Sequence, residues 1–236
     1  MSIDIQVVED PATTCAEQLS AAAATGGHVI LTGGGTPRHA YELAAANHPR
    51  LWEGANMWFS DERCVAPDDP LSNFGMVKQA LLDPLLAASV RIEFCRRILG
   101  ERGPVEAALE YERELEHVGG GAGAIRFELA LLGIGADGHI CSMFPGQDSL
   151  DERSRLAVGV AQAGLEPFVP RVTLTFAALN RAKRVLVLAT GAAKADAIAA
   201  AFADDAQPTH QTPASLLAEH VEEITVLLDA DAAGRL

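Results

Sequence analysis

The apolar run at residues 129–132, broken at once by Gly133, Gly135 and Gly138, is the feature that most restricts the fold of this chain. A segment apolar at successive positions has no face to give to water. It belongs in a strand covered on both sides, as in a parallel sheet sandwiched between helices. The run therefore predicts a central strand, and the glycines predict a sharp exit from its carboxyl end. Between and after those glycines stand Asp137 and His139, the densest set of potential reacting groups in the sequence. In open α/β sheets ligands bind beyond the carboxyl ends of the strands, so residues 128–146 are at once a fold signal and a site signal.

The rest of the chain repeats the unit of strand, turn and helix. Ile3, Ile5, Val7 and Val8 predict a first strand, and Asp10 with Pro11 opens an alanine-rich helix to about Ala24. Residues 28–32 form a second strand that runs into Gly33, Gly34, Gly35, Thr36 and Pro37. There Thr36 is expected to cap a helix whose buried stripe is Ala40, Leu43 and Ala44. A strand at residues 57–60 ends in Asp61, Glu62 and Arg63, followed by a loop at 66–73 and a helix at 75–82. Residues 92–95 read as a strand, and Pro104 opens a charged helix through Val118 with Val105, Leu109 and Leu115 on its apolar face. A glycine connector at 119–123 leads into the central strand. Beyond residue 146, strands are expected at 156–160, 172–175, 184–189 and 224–228. A helix presents Lys194 in its first turn and turns Ala195, Ile198, Ala199 and Phe202 inward. No repeat or low-complexity linker interrupts the pattern. The expectation is one domain, residues 1–236, built as a Rossmann-like α/β fold: an open, parallel-dominated sheet with helices on both faces.

Composition narrows the function. The chain has 18 Lys and Arg against 32 Asp and Glu, a formal charge of −14, which argues against a nucleic-acid or anionic-membrane surface. Any anionic substrate must be held by a few local cations. The four cysteines, Cys15, Cys64, Cys95 and Cys141, are scattered without a CxxC pair, so neither a zinc cluster nor a disulfide framework is signalled, and a reducing cytoplasm fits best. No signal segment or membrane-length apolar run is present, and nothing marks an obligate protein partner.

Two glycine loops invite comparison with nucleotide sites. Gly34, Gly35 and Thr36 combine backbone freedom with the N-terminus of a helix, the parts of an anion site, and the alternative is a tight turn without a ligand. No Lys-Ser/Thr pair makes it a Walker loop. Gly133, Gly135 and Gly138 satisfy GxGxxG, yet Pro145 and Gly146 interrupt the helix a dinucleotide site needs, and no ribose-binding acid follows the strand near Val158. Arg171 and Lys194 stand at the edges of elements. Arg63 is equally suited to an internal ion pair with Asp61 or to a ligand. His139 is the general acid-base candidate, with Asp137 as its nearest partner. Ser142 lacks a nucleophile elbow. Cys141 reads as buried filler, and Asp61, Asp137, His139 and Cys141 lack a recognised metal-ligand spacing.

Four stretches together resemble the 6-phosphogluconolactonase family, which is related to glucosamine-6-phosphate deaminases and isomerases. They are LTGGGTP (31–37), SDERCVAPDDPLSN (60–73), LLGIGADGHICSMFPG (131–146), and PRVTLT through GAAK (170–194). The deaminases typically carry an Asn-Glu-Pro run where this chain has Ser142, Met143, Phe144 and Pro145. The resemblance implies hydrolysis of 6-phospho-D-glucono-1,5-lactone, a step of the oxidative pentose phosphate pathway, without metal or organic cofactor. It implies His139 as general base, with Asp137 and Asp61 as orienting acids. Arg63, Arg171 and Lys194, aided by the Gly34, Gly35 and Thr36 backbone, become the substrate and phosphate contacts. The chain departs from the commonest family wording at Gly35, where a hydroxyl residue is frequent, and at Ala136, where glutamate is frequent.

Overall fold

The computed structural model describes residues 2–119 and 125–236. In chain order the strands are β1 (Ser2–Val7), β2 (His28–Leu31), β3 (Asn56–Phe59), β4 (Asp61–Arg63), β5 (Phe94–Cys95), β6 (Phe127–Gly133), β7 (Ala157–Val160), β8 (Arg171–Leu174), β9 (Val185–Ala189) and β10 (Glu223–Leu228). The helices are α1 (Pro11–Ala23), α2 (Gly35–Asn47), α3 (Asn73–Val77), α4 (Asp83–Ala87), α5 (Pro104–Val118), α6 (Phe176–Leu179), α7 (Ala195–Phe202) and α8 (Leu217–His220). Past Gly119, the expected glycine connector lies outside the described residues.

Seven strands form one sheet in the order β1-β10-β9-β6-β2-β3-β5, and every neighbouring pair is parallel. The chain lays β2, β3 and β5 outward to one side. It then returns to place β6 on the other side of β2 and continues to β9 and β10. The order reverses between β2 and β6, which creates a topological switch point. Leu129 and Leu131 point to one face of β6, Ala130 and Leu132 to the other, and all four are inaccessible to solvent. The reading of residues 129–132 as a strand covered on both sides is therefore correct.

Four details differ from the sequence reading. The strand segments near 157–160 and 171–174 do not extend the parallel sheet; with β4 they form a second, antiparallel sheet in the order β4-β8-β7. Asp61, Glu62 and Arg63, expected as the end of the strand at 57–60, thus form a strand of their own in that second sheet. On α5, Val105 and Leu109 are 71% and 49% exposed, and the buried side is Ala107, Ala108, Tyr111 and Leu115. Helical spacing fixed that face only to within a residue or so, and the aromatic ring decided it: the Tyr111 hydroxyl donates to Phe59 O and accepts from Phe59 N. Finally, α3 begins at Asn73, two residues early, and continues through a π turn (Lys78–Leu82) into α4.

The early start of α3 has a local cause in Glu62. Its buried carboxylate accepts from the backbone N–H groups of Arg63, Asn73 and Phe74 and from the Ser72 hydroxyl, at 2.7–3.0 Å. It satisfies N–H groups that a helix start leaves unpaired and pins α3 to the end of β4. Burial pushes this carboxyl above its usual range, and the four donors pull against that shift. At the opposite end of the sheet, the His28 Nδ1 accepts from the Trp58 indole N–H at 2.9 Å. That bond requires an unprotonated Nδ1. Burial accordingly holds His28 below the ordinary histidine value, with the charge of Glu128 opposing.

Two stability predictions follow from these contacts. Glu62→Ala should lower the unfolding free energy by about 2–4 kcal/mol, because several buried donors lose their acceptor together; urea denaturation measures it. For His28 the folded pKa is depressed, so its contribution is complete above the unfolded value of about 6.5 and is lost as pH falls through the folded value. The stability advantage of wild type over the non-titrating His28→Phe variant should narrow as the pH drops from neutral through that range.

Candidate active site

Parallel strands leave a sheet on the same edge, so the loops after β2, β3, β6 and β9 meet at the switch point. They enclose a cleft of about 270 Å³ lined by Gly33, Gly34, Gly35 and Thr36, by Asp61 and Arg63, by Gly135 and His139, and by Arg171, Thr190 and Lys194. Nearly every residue singled out from the sequence therefore lies on one cavity. Asp137 stands directly behind it, bonded to His139.

The loop after β6 is shaped around those two side chains. Asp137 Oδ1 lies 2.6 Å from His139 Nδ1 and also accepts from the His139 backbone N–H at 3.2 Å. Gly135 N–H donates to His139 O at 2.8 Å, closing the turn. A Cβ on Gly135 would collide with both the imidazole and the carboxylate, which is the physical reason for glycine there. Gly138 is also required, since its φ is +80°. Burial raises the Asp137 carboxyl, but the hydrogen bonds and charge of His139 outweigh burial and hold it below the usual aspartate value. An ionised Asp137 accepts the Nδ1 proton, which leaves the lone pair on Nε2. Phe144 closes the far side of the ring, with centroids 4.6 Å apart, and its own ring lies 5.9 Å from the Arg171 guanidinium.

Arg63 and Arg171 face each other across the antiparallel β4–β8 pair. The alternative of an Arg63–Asp61 ion pair is not what forms. Arg63 donates from Nη1 to Leu71 O at 2.6 Å, and its buried Nε has no partner. Arg171 donates to Val169 O and Pro167 O, and burial together with Arg63 lowers its pKa. Lys194 donates to Ile134 O at 2.7 Å, and burial lowers its pKa against the charge of Asp137. Among the described residues none of these three cations has a carboxylate within 4.0 Å, whereas Arg38, Arg91, Arg96, Arg97, Arg102, Arg155 and Arg235 each do. Cations facing one another without counter-ions are the chemistry of an anion site.

Thr36 is not the cap of α2; Gly34, with φ at +113°, holds that position. The Thr36 hydroxyl instead pairs with that of Thr190 at 2.8 Å, which ties the α2 N-terminus to the loop bearing Lys194. Asp61 is 5% exposed and carries three donors: Ser60 Oγ, Asn73 Nδ2 and Ser142 Oγ. Sequence reading gave Asn73, Ser142 and Thr190 no role. All three fall within the stretches that carry the family resemblance, but their bonds run to partners 12, 81 and 154 residues away, for Asn73 and Asp61, Ser142 and Asp61, and Thr190 and Thr36, which local pattern does not reveal. Cys141 is buried and its thiol pKa is raised well above normal, which fits inert filler. No group of three or more His, Cys, Asp or Glu side chains converges on a metal-sized site among the described residues, and no described helix is long and apolar enough to cross a membrane.

Comparison with known proteins identifies the family. The 6-phosphogluconolactonase of Treponema pallidum is 35% identical over 179 residues, 75% of this chain and 72% of that protein. The 6-phosphogluconolactonase of Synechocystis is 35% identical over 213 residues, 89% and 85% of the two chains. Among solved structures, 6-phosphogluconolactonase from Trypanosoma cruzi superposes with a TM-score of 0.84 at 27% identity, covering 100% of this chain and 97% of that one. The family model described as glucosamine-6-phosphate isomerases/6-phosphogluconolactonase matches residues 4–226, and the chain belongs to that family.

Proposed function

We propose that this chain hydrolyses 6-phospho-D-glucono-1,5-lactone to 6-phosphogluconate in the pentose phosphate pathway, with His139 as general base. The enzyme class rests on the lactonase relatives. The observation that carries the mechanism is the 2.6 Å contact between Asp137 and His139 Nδ1, which directs the basic Nε2 toward the cleft.

Nε2 removes a proton from water as the oxygen attacks C1 of the lactone. The C1–O bond to the ring oxygen then breaks from the tetrahedral intermediate, and the proton on Nε2 passes to that oxygen. Hydroxide has been added to C1 and a proton to the ring oxygen, so the histidine ends as it began. Asp137 keeps the tautomer and steadies the imidazolium between the two transfers. Arg63, Arg171 and Lys194, with the N-terminus of α2 at Gly34, Gly35 and Thr36, supply the positive field for the phosphate and for charge developing at C1. Asp61 is held by three neutral donors and serves as an orienting group.

The test is a coupled assay on enzymatically generated lactone, corrected for spontaneous opening. His139→Ala should reduce kcat by about 10²–10⁴-fold; a full rate in that variant removes the mechanism. Lys194→Met should act chiefly on KM, raising it by roughly tenfold or more with loss of one charge-assisted contact. Release of ammonia from glucosamine 6-phosphate, assayed in parallel, should be absent.

A further inference from the structure

We infer that Ser142 is a positioning residue, which acts through the buried Asp61 carboxylate to lock the loop carrying His139 against the second sheet. Its kinetic consequences rest on the lactonase reading; the lock itself does not.

Ser142 is wholly inaccessible and does not line the cleft, so it cannot touch substrate. It follows His139 by three residues, and the intervening Cys141 is buried with φ at +54°, a conformation L residues rarely adopt. Such a backbone persists only where its surroundings over-determine it. They do so by pinning Ser142 twice. Its N–H donates to Thr173 Oγ1 at 3.0 Å, and its hydroxyl donates to Asp61 Oδ2 at 2.6 Å. Thr173 and Asp61 are register partners in the β8–β4 pair, so one cross-strand pair grips one residue of the loop.

The other Asp61 oxygen accepts from Ser60 Oγ at 3.0 Å and from Asn73 Nδ2 at 3.1 Å. The Asn73 amide lies against Gly33, where no Cβ would fit. Asp61 therefore joins three loops: the one after β2 that starts α2, the start of α3, and the one bearing His139. A charge-assisted bond to a buried carboxylate is among the stronger neutral-donor contacts. General-base catalysis needs such stiffness, because a misplacement of about 1 Å in the reacting geometry costs on the order of a hundredfold in rate.

The test is Ser142→Ala, which keeps the N–H bond to Thr173 and removes only the hydroxyl. We expect kcat to fall roughly 30-fold while KM and the Kd for 6-phosphogluconate stay within about threefold, the pattern of lost positioning rather than lost binding. Combining it with Asp61→Asn should lower kcat no more than about twofold below the worse single variant, as expected for residues acting as one unit. In substrate-free protein, the NMR resonances of the His139 ring should shift and broaden in Ser142→Ala while those of His28 stay fixed. Ser142→Cys keeps the volume with a weak donor and carries the same measurements should the alanine variant fail to fold. An unchanged kcat, multiplicative losses in the double variant, or a joint collapse of kcat and product affinity with movement of His28 overturns the inference. Wild-type protein without lactonase activity would overturn the functional reading instead, and the His139 resonances would then decide the lock.

Discussion

The hydrogen-bond ladder that holds β6 between β2 and β9 is the constraint on which the site depends. Ala130 pairs with Ile30 on one side and with Val185 on the other, always parallel. Parallel pairing sends neighbouring strands out of the sheet on one edge, whereas antiparallel pairing would scatter their loops over both. The glycine loop after β2, the start of β4 after β3, the His139 turn after β6 and the Lys194 loop after β9 therefore share a small volume. Leu129, Leu131 and Leu132 fix the ladder by burial, at about 1.5–3 kcal/mol for each fully buried leucine side chain. Asp137 and His139 sit on a loop, but the strand it follows is buried at Phe127 and throughout residues 129–132.

Electrostatics in the cleft run against the charge of the chain as a whole. A protein with formal charge −14 places Arg63, Arg171 and Lys194 around one cavity and leaves them without carboxylates among the described residues. The two acids of the site are already engaged: Asp137 by the imidazole, Asp61 by two hydroxyls and an amide. Under the proposed function the cations consequently keep their field for the substrate. The arrangement costs stability, since like charges directly opposite on a β pair repel. That cost is consistent with a site that reaches its lowest energy only when an anion is bound.

Much of the fold was legible because burial writes itself into local pattern. The apolar run at 129–132, the Asp10–Pro11 helix start and the Pro104 helix start are all local, and each element forms where it was expected. Misreadings came where a distant partner chose among local options. Val105 and Leu109 suit a buried stripe by spacing, yet Tyr111 took the inner face by reaching the Phe59 backbone. Thr36 suits a cap by type, yet its hydroxyl went to Thr190. At Arg63, where an ion pair with Asp61 and a ligand contact were equally open, the two side chains share a face of β4, but Asp61 is already engaged by Ser60, Asn73 and Ser142 and Arg63 donates to Leu71 O.

The sequence by itself determined the class of fold, the central strand, and the turn in which Gly135 and Gly138 leave room for Asp137 and His139, because strand periodicity and glycine sterics act over a few residues. It also displayed the residues that carry the family resemblance. Only the tertiary structure decided that β4, β7 and β8 form a separate sheet, that Arg63 stands opposite Arg171, and that Asp61 binds Ser142 across 81 residues. Those outcomes depend on which distant donor reaches which buried acceptor, and a buried polar group takes whatever partner the packing brings to it.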